Sequence, residues 1–350
     1  MRHQVEKKRQ GTAEETAFYD LSAASRILPV LYSQRYDYYV AIGPRVAARL
    51  PDAGAILDFG CGPGILTTYY ARCCPHARLT GLDRSSVSIA EAQRKADALG
   101  LDNIAFACAD LDKEAPEGVY DCIVATHALV QSEQDPGLPS RSWQTFERTR
   151  EAAGQAAFEQ RTGLGRRLDH LAAAMSPAGH IIVFEKTRQL ARRIPLQRAL
   201  AARGLHLIAP PQPVRYSLIE EVSEDGPFYV LGCGQAEAIA WDEQPEPDEG
   251  VPFDRDRART GVQPADTPLY ENHWPSAQGV WERLHNKRVI REDTADESNG
   301  RQLHVELGMS EGLHYLYCAN TFDQRQLVIV EPARAAMLHT YYQEIIQGSA

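Results

Sequence analysis

The 350-residue chain contains no stretch approaching the roughly 18 consecutive apolar residues that a membrane-spanning helix requires, so no membrane association is expected. Its first twelve residues, Met1 to Thr12, are polar and basic without an apolar segment, and a secretory leader is not expected. Its seven cysteines include no Cys-x-x-Cys pair and no His/Cys ligand spacing, which excludes a disulfide framework or a zinc module and favours a reducing, cytoplasmic setting. No carboxylate cluster with metal-ligand spacing is evident, so no metal is expected. Internal repeats are missing as well. Basic residues are also in short supply, with 37 Lys and Arg against 47 Asp and Glu, a net charge of −10. The deficit lies mainly beyond Trp241, where 10 basic residues meet 19 acidic ones. Such a tail repels phosphates and disfavours a nucleic-acid partner. Between Leu138 and Arg215 the balance reverses to 13 basic and 5 acidic residues, a surface that either faces an anionic substrate or is simply solvated or paired with the acidic tail.

What the chain does have is a globular composition, 43% hydrophobic and 24% charged, with length enough for one large domain and a smaller one. Residues 1–52 read as N-terminal helices, the second of them over Arg35–Leu50. From residue 53 to 240 short apolar runs alternate with helical patterns. Ala55–Phe59, Arg78–Leu82, Ile104–Cys108, Cys122–Ala125 and His180–Glu185 are strands of buried character, and Leu205–Ala209 and Phe228–Cys233 follow. Helices are expected at Ile65–Cys73, from the cap-like Ser85–Ser86 to Leu99, and at Ala191–Arg203. This rhythm predicts an α/β fold, a Rossmann-like doubly wound, mostly parallel sheet covered on both faces. A helical insertion is expected at about 138–175. Residues 241–268, with five prolines and many acids, have linker composition. Residues 269–350 then predict a small α+β accessory domain. It comprises four meander strands near Arg288–Thr294, Gln302–Leu307, His314–Ala319 and Gln326–Val330, closed by a helix carrying Leu338, Tyr341, Tyr342, Ile345 and Ile346 on one face.

The most informative segment is Ile-Leu-Asp-Phe-Gly-Cys-Gly-Pro-Gly-Ile-Leu-Thr, residues 56–67. A strand delivers Asp58, and Gly60, Gly62 and Gly64 turn the chain into a helix where a backbone must pass close to a ligand. The register is Gly-x-Gly-x-Gly, not the Gly-x-Gly-x-x-Gly of dinucleotide-binding turns, with Asp58 two residues ahead. On these residues the chain resembles the class I S-adenosylmethionine-dependent methyltransferases. Three further stretches carry the resemblance in order: Leu79-Thr-Gly-Leu-Asp83, Phe106-Ala-Cys-Ala-Asp110, and Tyr120-Asp-Cys-Ile-Val-Ala-Thr-His127. It covers about residues 15–235 and does not extend to the last hundred residues.

The resemblance implies S-adenosyl-L-methionine as cofactor. Asp58, Gly60, Cys61, Gly62 and Gly64 would receive its methionine part, Asp83 with Arg84 its ribose, and Asp110 with Leu111 its adenine. Thr126 would lie at the methyl donor. His127 and Glu185 are the candidate catalytic groups, His127 as a general base or as a packing residue. Tyr19 and Tyr36 are candidates for the substrate side, with Tyr39, in a lid or in the core. Arg188 and Arg192, one helical turn apart, either clamp a carboxylate or phosphate or form a charged helix surface. Strand four ends in Thr-His-Ala and not Asn-Pro-Pro-Tyr, which disfavours methylation of nucleic-acid bases. The reading is therefore methylation of a small molecule, anionic acceptors included, at O, N or C. A protein or RNA methyltransferase using residues 270–350 for recognition, a cofactor-binding scaffold, and a homodimer remain open.

Overall fold

A computed structural model describes residues 20–24, 27–50, 54–130, 135–218, 221–233, 239–255, 267–296 and 300–348. The chain forms two units, and neither is continuous in sequence. The first comprises Met1–Asp135, Ala152–Arg188 and Arg192–Trp241; the second comprises Pro136–Glu151, Gln189–Ala191 and Asp242–Ala350.

The first unit is built on an eight-stranded sheet. Its strands are β1 (Gly54–Phe59), β2 (Ala77–Asp83), β3 (Ile104–Cys108), β4 (Tyr120–Thr126), β5 (Met175–Phe184), β6 (Leu205–Leu207), β7 (Gln212–Leu218) and β8 (Glu221–Cys233). The spatial order is β3-β2-β1-β4-β5-β8-β6, with β7 paired to β8. Strands β3 to β5 of that order run parallel, whereas β8 runs antiparallel to β5, β6 and β7. The central strands are continuous apolar runs because both faces are covered. Ile56, Leu79, Val124 and Ile182 lie in one core with Ile42 and Val46 from the N-terminal helices. These helices are α1 (Leu28–Gln34) and α2 (Tyr36–Ala47).

Helices α3 (Ile65–Cys73) and α4 (Ser86–Ala98) connect β1 to β2 and β2 to β3, and α7 (Leu190–Ala202) follows β5. Ser85 caps α4 by accepting the Ser88 amide at 3.0 Å, as its sequence position suggests. The expected insertion is helical only in part. Residues 143–151 are irregular, and α5 (Ala152–Thr162) and α6 (Leu164–Ala174) follow, separated by Gly163 at φ 70°. Strand β7 escaped the sequence reading because Pro210, Pro211 and Pro213 give its start the look of a loop. The chain crosses from β3 back to β4 on the other side of β1, so the carboxyl ends of β1 and β4 flank the point where the winding reverses. That is where open α/β sheets hold ligands.

The second unit is a five-stranded antiparallel sheet in the order β10-β11-β12-β13-β9. Its strands are β9 (Tyr270–Asn272), β10 (Lys287–Asp296), β11 (Gln302–Ser310), β12 (Leu313–Asn320) and β13 (Arg325–Val330). The four-strand meander is present, and Glu311 (φ 49°), Gly312 (φ 85°) and Asp323 (φ 72°) make its turns. One sheet face packs Val305, Leu307 and Val328 under helix α9 (Ala335–Gly348); the other packs Tyr317, Leu327 and Ile329 against α8 (Ser276–Glu282). In α9, Leu338 and Tyr342 are buried with Met337, Ile345 and Ile346 beside them, but Tyr341 is 44% exposed, one step out of phase.

The unit also takes in residues 136–151, which the sequence reading assigned to an insertion of the other domain. Asp323, at the tip of the β12–β13 turn, receives the Arg148 guanidinium and the Ala191 amide (2.9 Å), while the Ser140 amide donates to the Thr321 carbonyl at 2.7 Å. Among the described residues no helix is long and apolar enough to cross a membrane.

Candidate active site

The glycine turn after β1 lies at the wall of a cavity of about 260 Å³ in the first unit. Gly60 and Gly64 adopt φ 74° and 72°, and a Cβ on either would collide with Ala128 or Ala92 at 2.4 and 2.7 Å. Gly62, between them at φ 50°, has nothing within 4 Å of where its Cβ would be. The turn is thus packed on both flanks and open in the middle, facing the cavity. Asp58, buried at the end of β1, accepts a hydrogen bond from Thr67 Oγ1 at 2.7 Å. Burial pushes its carboxyl up to about 7, with the Thr67 bond opposing and the Asp83 charge adding to the rise.

Asp83, at the end of β2, accepts the Gly62 amide (2.9 Å) on one oxygen and the Ser85 amide (2.8 Å) on the other. The same carboxylate shapes the turn and presents its remaining lone pairs to the cavity. Burial raises its pKa despite these bonds. Asp110 pairs with Lys113 at 2.9 Å and accepts the Asp112 amide; burial raises its carboxyl but these contacts prevail, and it is held below the usual range. Lys95, which the sequence reading passed over, donates to the Tyr32 hydroxyl and to the Pro63 carbonyl, each at 2.7 Å, so it joins α1 to the glycine turn.

At the end of β4, His127 occupies the left-handed region at φ 54°, a strained position for a residue with a side chain. Its amide is fixed to the Phe184 carbonyl at 2.8 Å. The imidazole stacks on Tyr38 (4.9 Å between centroids) and Phe184 (5.4 Å), and its Nε2 lies 2.7 Å from Asp225 Oδ2. Asp225 also receives the Tyr216 hydroxyl. Burial outweighs the attraction of Asp225 and holds His127 below the usual imidazole value. Asp225 is held at about 2: burial raises it, but the bonds from His127 and Tyr216 and the charge of Lys186 pull it down further. The result is an imidazole held neutral beside an ionised carboxylate. Arg35 and Lys186 line the cavity and act electrostatically on His127.

Of the residues singled out in the sequence, Asp58, Gly60, Cys61, Gly62, Asp83, Arg84, Asp110, Leu111, Thr126, His127 and Glu185 line this one cavity. Glu185 is in the wall, but its carboxylate is taken up by backbone. Oε1 accepts the Ala128 and Leu129 amides at 2.7 Å each and Oε2 the Val130 amide at 3.4 Å. Burial pushes it up to about 7. It shapes the loop after β4 and is badly placed to serve as a base. Tyr36 is 65% exposed and outside the cavity; the helical phase instead brings Tyr32, Tyr38 and Tyr39 to the lining. Tyr19 lies outside the described residues. Arg188 is exposed and Arg192 is buried within α7, and the lining cations are Arg35, Arg84, Arg167 and Lys186 instead. Arg167 is committed to Asp112 (2.6 Å) and to the Leu129 carbonyl (2.8 Å). Asp225 was missed because Asp225-Gly226-Pro227 reads as a turn, although it lies inside β8.

Residues 56–140 match the family described as a methyltransferase domain. Over 106 residues the chain is 36% identical to a trans-aconitate 2-methyltransferase of Streptomyces avermitilis, a match spanning 29% of this chain and 39% of that protein. Over 77 residues it is 32% identical to a probable (S)-tetrahydroprotoberberine N-methyltransferase 2 of Papaver bracteatum, spanning 22% of each. Among solved structures, the DhpI-SAH complex is similar with a TM-score of 0.41 and 18% identity, covering 63% of this chain and 96% of that one. The chain spans about two fifths or less of the length of these curated relatives.

Proposed function

We propose, from the premise that this chain carries a class I, Rossmann-like S-adenosylmethionine-dependent methyltransferase domain, that it methylates a small acceptor bearing an ionisable or anionic group, with His127 as general base. The open face of Gly62 beside the lone pairs of Asp83 is the observation that fits the cofactor to this cavity. Asp83 with Arg84 would hold its ribose, Asp110 and Leu111 its adenine, and the turn from Asp58 to Gly62 its amino-acid part. When bound, S-adenosylmethionine supplies a methyl group already activated on a sulfonium. The protein's own contribution is positioning and proton removal.

The observation that carries the reading is His127, gripped by Asp225 and by two aromatic rings, at the carboxyl end of β4 in a cavity that also holds Arg35 and Lys186. The imidazole is neutral and can accept a proton from a hydroxyl or acid as it attacks. Asp225 orients the ring and stabilises the imidazolium that forms. The two cations favour an acceptor that is, or becomes, negative and disfavour a cationic amine. The trans-aconitate methyltransferase mentioned above is named for a carboxylate-bearing substrate, which is in keeping with this choice, while the N-methyltransferase points the other way. Turnover against pools of small carboxylic acids, phenols, amines, protein and RNA, with mass detection of product, tests it. Product from acids or phenols is expected; product from amines or macromolecules alone would sink the acceptor assignment.

A further inference from the structure

We propose that Glu292, His304 and Glu306 form a binding site for a divalent transition-metal ion in the second unit. In the β10–β11 ladder Glu292 lies directly opposite Glu306, and Thr294 opposite His304. His304 and Glu306 are two residues apart on one strand and so share a face. Two carboxylates directly opposite one another in an antiparallel pair repel, and a cation between them turns that cost into a gain. One ligand atom from each of the three residues lies within 4.8 Å of the others.

The second observation is the state of the imidazole. His304 is fully buried, its Nδ1 is 3.1 Å from Thr294 Oγ1, and its Nε2 has no hydrogen-bond partner. The Glu306 Oε2 that faces Nε2 stands off at 3.8 Å, too far for a hydrogen bond. Two ligands on one ion sit roughly 3–3.5 Å apart when the metal bonds are about 2.1 Å. Glu306 Oε2 needs only a small contraction toward Nε2, and the exposed Glu292, whose Oε1 lies 3.9 Å from Nδ1, reaches the same ion by turning its side chain. The surroundings also hold the ligands in place. Thr294 can fix the tautomer that leaves Nε2 free to bind. Glu306 Oε1 takes the Tyr315 hydroxyl (2.6 Å) and the Trp281 indole N–H (3.0 Å), which aims Oε2 at the site. Lys287, the neighbouring cation, is held on Trp281, 3.7 Å from its ring and 3.0 Å from its carbonyl oxygen. Trp143 covers one face of the imidazole at 3.6 Å, while the exposed Glu292 leaves a way in from solvent. One imidazole and two carboxylates are a donor set for zinc, manganese or iron(II).

The test uses the full chain stripped with EDTA and titrated separately with Zn²⁺ and Mn²⁺ by calorimetry, with Co²⁺ absorption as a report on nitrogen ligation. One equivalent of ion is expected to bind and to raise Tm. Glu292→Gln should weaken binding by about tenfold or more while leaving the metal-free protein at least as stable, since it removes a like charge at an exposed position. Glu306→Gln should weaken it in the same way. No saturable binding of any of the three ions, or binding unchanged in both variants, overturns the site.

Discussion

At the residue scale the pocket turns on two buried carboxylates that do opposite things. Asp225 is ionised and serves His127. Asp225→Asn should lower kcat by on the order of 10²-fold, the usual contribution of a positioned base, with cofactor affinity unchanged. Because the lost charge favoured the imidazolium, the acid limb of the kcat/KM profile should move to lower pH; a profile and a rate like the wild type's would remove Asp225 from the mechanism. Asp58 is instead held at about 7, mainly by burial. An acid whose pKa is raised on folding stabilises the fold fully below its unfolded value, near 3.8, and loses that contribution as pH rises through about 7. A shift of this size corresponds to on the order of 4 kcal/mol. Asp58→Asn keeps an acceptor for Thr67, so its Tm relative to wild type should become more favourable between about pH 4 and pH 7 and level off above that. Parallel melting curves across that range would show that Asp58 is not the titrating group.

Among the elements, the β1–α3 turn separates steric from functional demands on glycine. Gly60→Ala drives a Cβ into Ala128 at 2.4 Å and should destabilise the fold outright, as overpacked substitutions do by roughly 1–3 kcal/mol, on top of the φ strain. Gly62→Ala meets no protein atom and should cost only the strain of its positive φ, about 1–2 kcal/mol, yet weaken S-adenosylmethionine binding by tenfold or more in calorimetry. Full affinity in the Gly62 variant would place the cofactor elsewhere. This turn, Asp83 and Asp110 were legible in the sequence because each sits at the end of its own strand, where a local pattern announces it. The His127–Asp225 pair was not, since the partners are separated by three strands and an acid before Gly-Pro looks like a turn. The Glu292–Glu306–His304 group was hidden for a related reason: only the cross-strand register brings it together, and no spacing along one strand encodes that. Tyr36 and Tyr38 differ only in helical phase: the buried face of α2 carries Tyr38, Ile42 and Val46, which leaves Tyr36 exposed.

For the molecule as a whole, the sequence showed two regions but not that the second borrows chain from within the first. Residues 136–151 carry prolines and polar residues that read as a break before a helix, and nothing in their composition says which unit they join. Asp323 resolves it, because its carboxylate takes both the Arg148 guanidinium and the Ala191 amide, with Arg148 wholly buried at its side chain. Arg325 adds to the tie by lying over the Phe146 ring at 4.4 Å and donating toward the Thr145 carbonyl. Removing one member of a buried ion pair strands the other, which typically costs 3–5 kcal/mol. Asp323→Ala should therefore lower the stability of the second unit by several kcal/mol. It should also raise amide hydrogen exchange across 136–151 and 189–191 together, since both segments hang on the same carboxylate. Exchange in α3 and α4, which belong to the first unit, should stay as in the wild type. If protection falls equally in both units, the two unfold as one cooperative body; if 136–151 keeps its protection, the segment is held by something other than Asp323.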